Sequence, residues 1–158
     1  MKSETKEKLK CILDTYKQKQ IEIIRRQQRT QKERKKFLDN FALKINETIR
    51  PCFEELGGLL KSRGHGFEIT QKTELHDLQG NTQSAHIKIE ILPNGQRAKP
   101  GERPAISFIA DSAREEIWTK VSTVMSSCAG QRSVYTLDEI TEDIVEEEVL
   151  SVLGACFG

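Results

Sequence analysis

No glycine or proline interrupts the first fifty residues of this chain: the first proline is Pro51 and the first glycine is Gly57. Average composition would place roughly six of the two in such a stretch. Nothing there breaks a helix, and a turn-rich or β-rich front end is excluded. A continuous helix of about 45 residues reaches on the order of 70 Å, longer than a compact domain of this size requires. The sequence therefore predicts an extended N-terminal helix followed by a globule, and proteins built that way usually join things.

Other absences narrow the function. The four cysteines, Cys11, Cys52, Cys128 and Cys156, form no C-x-x-C pair, which suits reduced thiols in a cytosolic protein better than a disulfide framework. The start, MKSETKEKLK, is charged and has no apolar h-region, unlike a signal peptide. No run approaches the roughly 18 apolar residues that span a bilayer, so the expectation is a cytoplasmic protein with no membrane partner. His65, His76 and His86 have no metal-ligand spacing with one another or with a cysteine. Glycine-rich phosphate signatures are missing, since GHG and NGQ match neither a P-loop nor a dinucleotide fingerprint. Cys128 stands alone in a Gly-containing loop, with no base placed by the sequence to activate it. The expectation is a non-enzyme with no cofactor, no catalytic residues and no metal site.

Charge is plentiful and unevenly placed. Residues 1–64 carry 17 Lys/Arg against 9 Asp/Glu, residues 65–135 carry 8 against 8, and residues 136–158 carry 7 acids and no base. A basic front and an acidic back point to electrostatic partners, internal or external. The near-neutral sum of +1 argues against a protein that coats nucleic acid along its whole length.

Within the helical front end, Leu9, Leu13, Tyr16 and Ile23 fall on the 3–4 spacing of a coiled-coil seam. Continuing that register puts Gln20, Gln27, Thr30 and Arg34 at core positions before Phe37 and Phe41 restore it. The pattern predicts a short coiled coil near the N-terminus and a polar helical neck at 25–36. An isolated helix is marginal in water, so the neck needs a partner, a second copy or its own charge pairs; a homodimer is the expected resolution.

From Phe37 a strong stripe begins: Leu38, Phe41, Ile45, Ile49, Cys52, Phe53, Leu56, Leu59 and Leu60. Pro51 lies inside it without breaking phase, which predicts a kinked or restarted helix. Gly57-Gly58 weakens the last turns and Arg63-Gly64-His65-Gly66 ends them. Period-two alternation follows in a strand from Phe67 that runs toward Leu75, then at Ile87–Ile91, Ile106–Ala110 and 116–125, with Ser133–Thr136 as an optional fifth strand. A loop, NGQRAKPGERP at 94–104, and a second, SSCAGQR at 126–132, connect them. A capping box at Thr136–Glu139 opens a last helix with Ile140, Ile144, Val145, Val149, Val152, Leu153 and Cys156 on its buried stripe. The predicted fold is α+β. A long helix, partly coiled coil, precedes a four- or five-stranded antiparallel meander and a C-terminal helix, with the helices on one sheet face. The expected division is an extended basic helix at 1–36 and a compact domain at 37–158.

Two candidate surfaces stand out. Arg25, Arg26, Arg29, Lys32, Arg34, Lys35 and Lys36 form a basic run with one acid inside it, Glu33. Arg25, Arg29, Lys32 and Lys36 share one helical face and could follow a phosphate backbone. The stretch has no aromatic residue and no mark of a recognition helix. A solvated face, or one that meets the acidic helix 138–148, explains it as well. The second is Trp118, the only tryptophan. If Ile117, Thr119, Val121, Thr123 and Met125 face the core, Trp118 lies on an otherwise polar sheet face, where a large aromatic can anchor a partner. In the reversed register it would be core. The sequence thus reads as a protein-interaction subunit that dimerises or docks through its N-terminal helix. The alternative is an accessory protein that binds nucleic acid through residues 25–36.

Overall fold

The computed structural model describes residues 2–95, 103–122 and 130–157, apart from the side chains of Gln131, Arg132, Ala155 and Cys156. The chain is α+β: a long N-terminal helix, a five-stranded antiparallel meander sheet and a C-terminal helix. Two compact units divide at Met1–Lys36 and Phe37–Gly158. The first unit is wholly helical over its described residues from Ser3 onward, belonging to α1 (Ser3–Lys44). Two of its threonines satisfy their hydroxyls within the helix, Thr15 Oγ1 donating to the Cys11 carbonyl at 2.9 Å and Thr30 Oγ1 to the Arg26 carbonyl at 3.0 Å.

In the second unit, α1 gives way to a π-helical turn at Ile45–Ile49 and then to α2 (Arg50–Ser62). The Arg50 N–H donates back to the Ile45 carbonyl, closing the wider turn. Pro51 then lies in the first turn of α2, a position that proline tolerates. The apolar phase passes through the proline because the π-turn absorbs the mismatch. Phe37, Phe41, Ile45, Ile49, Cys52, Phe53 and Leu60 are buried as the stripe predicts, whereas Leu59 turns outward and is exposed. Gly57 has a role beyond weakening the helix. The Phe67 ring lies directly against it, and a methyl group there would overlap the ring. Lys61 Nζ sits 5.4 Å from the centroid of the same ring.

The strands are β1 (Gly66–Lys72), β2 (Leu75–His76), β3 (Thr82–Gln83), β4 (His86–Leu92), β5 (Ala105–Asp111), β6 (Glu116–Ser122) and β7 (Gly130–Tyr135). Their main sheet has the order β1-β4-β5-β6-β7, every pair antiparallel. The optional fifth strand is present as β7. The first strand stops at Lys72 instead of running to Leu75, because β2 and β3 leave the sheet as a small hairpin of their own. Asp77 holds that hairpin's turn, its Oδ1 accepting the Gln79 N–H at 2.9 Å and the Asn81 N–H at 2.7 Å. These bonds hold the Asp77 carboxyl below its ordinary value.

Alternation decides the sheet's faces. Ile87, Ile89, Ile91, Ile106, Phe108, Ala110, Ile117 and Val121 are buried against α2 and α3 (Glu142–Phe157) in one core. The capping-box residues do lie at a helical start, with Glu139 Oε1 accepting the Thr136 N–H at 3.2 Å. They cap only a single 3-10 turn, Leu137–Glu139; Ile140 is extended, and α3 itself begins at Glu142. Ile140, Val145, Val149 and Val152 are buried as expected, with Ile144 and Leu153 packed at the margin.

Candidate functional site

The apolar residues of the first unit are exposed. Leu9, Ile12, Leu13, Tyr16, Ile23 and Ile24 are 46%, 65%, 58%, 62%, 47% and 51% accessible. Four of these are the seam residues read from the sequence. Ile12 and Ile24 widen the seam and were missed because they flank the strict 3–4 register; the wider apolar arc of an ordinary helix face would have found them. At about half exposure, covering six such side chains would release on the order of 6 kcal/mol. Association costs on the order of 4–15 kcal/mol before any contact is made. The seam alone therefore supports weak association, and the residues along its borders decide how tight it becomes.

The basic run lies on the same helix. Arg25, Arg26, Arg29, Lys32, Lys35 and Lys36 are exposed, but Arg34 is half-buried. Its Nε is shielded from solvent and makes no hydrogen bond. The stripe Arg25, Arg29, Lys32, Lys36 is thus available for contact, while Arg34 is the member least suited to reach a phosphate.

On the second unit, the outer face of the sheet is the other candidate. Ile117, Thr119 and Val121 point into the core, so Trp118 points outward and the reversed register does not occur. Trp118 is nonetheless only half-exposed. Its cross-strand neighbours are Ile109 and Val134, which flank it in a small apolar ladder, and its Nε1 donates to Glu116 Oε2 at 3.3 Å. Thr123 and Met125, with the rest of 123–129 including Cys128, lie outside the described residues, as does most of the 94–104 loop.

Beside this ladder is a shallow depression of about 340 Å³ lined by His86, Lys88, Glu90, Arg103, Ser107 and Lys120, among others. Three of its charged residues, Lys88, Glu90 and Arg103, are engaged in ion pairs. Arg103 reaches Glu68 Oε2 at 2.9 Å and Glu90 Oε2 at 3.3 Å, and Lys88 Nζ reaches Glu90 Oε1 at 2.9 Å. Burial alone would raise the Glu90 carboxyl, yet Lys88 and Arg103 outweigh it and hold it below the ordinary value.

Two groupings escaped the sequence. Glu148 belongs to the acidic helix 138–148, but it is buried. Its Oε1 accepts from Tyr135 Oη at 2.6 Å and from Ser133 Oγ at 3.1 Å, tying α3 to the edge strand β7. Ser133 N–H in turn donates to Thr119 Oγ1 at 3.0 Å. Burial and the Glu148 bond push the Tyr135 phenol above its ordinary value. The second grouping is Cys52 of α2 with Glu142 and Glu146 of α3, whose ligand atoms all lie within 4.8 Å of one another. These are the described residues that could hold a metal ion. Burial pushes the Cys52 thiol up to about 11, helped by Glu142, Glu146 and Glu55. A thiol that keeps its proton so firmly is a poor nucleophile.

The histidines are spent locally. His65 Nδ1 accepts the Asn94 N–H at 2.9 Å, His76 Nε2 lies 2.8 Å from Glu74, and His86 Nδ1 lies 2.9 Å from the Ser84 carbonyl. No helix among the described residues is long and apolar enough to cross a membrane. Comparison with protein families, with characterised proteins and with solved structures finds no match.

Proposed function

We propose that this chain is a non-enzymatic interaction subunit that docks another helix through the apolar seam of its N-terminal helix. The observation that carries the proposal is the exposure of six large apolar side chains, Leu9, Ile12, Leu13, Tyr16, Ile23 and Ile24, on the first unit. Scattered apolar residues on a surface need no partner, but these recur with helical spacing along one arc. Self-association through the seam is the simplest form of docking. Sedimentation of the full chain and of a 37–158 truncation, with and without Leu13→Asp, tests it. The expected result is an association, with a helix of another chain or with a second copy, that the truncation and the substitution both abolish. A full chain that neither self-associates nor takes up a helical partner would overturn the proposal.

The second reading, contact with a nucleic-acid backbone, is favoured by Arg25, Arg29, Lys32 and Lys36, exposed residues with the spacing of a single helical face. It predicts binding to duplex or single-stranded nucleic acid that weakens steeply with salt. Reversal of these four residues to Glu should eliminate it. A flat salt response removes this reading.

A further inference from the structure

We propose that the partner of the α1 seam is an acid-flanked amphipathic helix of a different chain, and that charge disfavours a second copy of this one. The inference rests on the docking reading above. Leu9, Leu13, Tyr16 and Ile23 fix a heptad register in which Lys10 and Lys17 occupy e positions and Lys19 and Arg26 occupy g positions. All four are exposed. Every charged residue at e or g between 9 and 26 is therefore basic. The acids of this segment lie elsewhere, Asp14 at b and Glu22 at c, on the outer side of the helix.

Residues at e and g border the seam and face the partner, so their sign selects it. In a parallel pair of copies, Lys17 would meet Ile12 and Lys19 would meet Ile24, with no opposite charge on either flank. Arg34 would face Arg34 in the core. In an antiparallel pair, e faces e and g faces g, so lysines and Arg26 would oppose one another. Residues 1–36 carry 13 Lys/Arg against 5 Asp/Glu, so two copies also repel at longer range. The acidic helix α3 of a second copy is no better, since Val145, Val149 and Val152 of its apolar stripe are already buried in its own core. What fits is a helix with an apolar seam of its own and Glu or Asp along both borders.

The test uses the full chain and two synthetic helical peptides of about three heptads, both with Leu at a and d, one with Glu and one with Lys at e and g. Binding is read by fluorescence anisotropy. The Glu peptide should bind about tenfold tighter or more in about 0.1 M salt, with the preference shrinking in about 1 M salt. The quadruple variant Lys10→Glu, Lys17→Glu, Lys19→Glu, Arg26→Glu should prefer the Lys peptide, and Leu13→Asp should bind neither. Equal binding of the two peptides overturns the proposal. So does a Leu13→Asp variant that retains the Glu peptide, which would mark a polyanion effect without the seam. Tight self-association abolished by Leu13→Asp would overturn the choice of partner while leaving the docking reading intact. A monomer that binds neither peptide overturns both.

Discussion

Replacing Gly57 and Gly58 by alanine, one at a time, makes the same chemical change at neighbouring positions of one helix, with opposite expected outcomes. At Gly58 an added methyl meets open space. Only the backbone term remains, and alanine should stabilise by about 1 kcal/mol. At Gly57 the methyl overlaps the Phe67 ring. Either the ring swings out of its half-buried seat or α2 shifts, and overpacking of this kind costs about 1–3 kcal/mol. Setting that against the same gain of about 1 kcal/mol leaves a net destabilisation of about 1 kcal/mol, so the two variants differ by about 2 kcal/mol. Urea unfolding, followed by Trp118 fluorescence and far-ultraviolet circular dichroism, measures the difference. In thermal melts it corresponds to roughly 4–8 °C between the variants. Phe67→Ala supplies the internal control: with the ring gone, Gly57→Ala should become stabilising. Equal stabilisation by both alanines with Phe67 intact would refute the close-contact argument.

Three further outcomes follow from the buried polar groups. Glu148→Ala leaves the Tyr135 and Ser133 hydroxyls without their buried acceptor and should cost about 2–4 kcal/mol, measured in the same urea assay; a loss below about 0.5 kcal/mol would show that the pairing is not needed. Because the Tyr135 phenol is raised above its ordinary value of 10.0, the unfolded chain loses this proton first. The linked stability is therefore unchanged below that pH and falls as pH climbs through and beyond it. Tyr135→Phe should show a smaller alkaline loss than the parent, and identical alkaline profiles would contradict the assignment. In a variant with Cys128→Ser and Cys156→Ser, a disulfide reagent should titrate Cys11 at once and Cys52 only on unfolding, since Cys11 is exposed and Cys52 buried; two rapidly reacting thiols in the native chain would contradict this.

Much of the fold was legible because it rests on periodicity. Ile87, Ile89 and Ile91, then Ile106, Phe108 and Ala110, then Ile117 and Val121 declared both the strands and their inward faces. The stripe from Phe37 to Leu60 declared its helix in the same way. What the sequence hid depends on contacts between distant segments, which leave no local period. The Phe67 ring against Gly57, Glu148 beneath Tyr135 and Cys52 beside Glu142 and Glu146 are of this kind. Local chemistry misled at two boundaries. The Thr136–Glu139 box caps a short turn because Ile140 is extended, and the segment after Lys72 breaks away because Asp77 closes its own turn. The candidate surface was half-legible. The seam register stood out, whereas Ile12 and Ile24 emerged as part of it only through their exposure. The shielding of Arg34 within a run that reads as uniformly solvated likewise needed three dimensions.

The docking claim is tested most directly by placing a photo-crosslinking side chain in the full chain in its native cells. One set of variants carries it on the seam at Leu13, Tyr16 or Ile23, and a second on the outer face at Asp14, Gln18 or Arg25. The bound segments are then sequenced. Adducts from the seam positions alone, to a helix of another protein bordered by Glu and Asp, are the expected result. Adducts from the outer face alone, or none from the seam in cells that contain the intact protein, would contradict it.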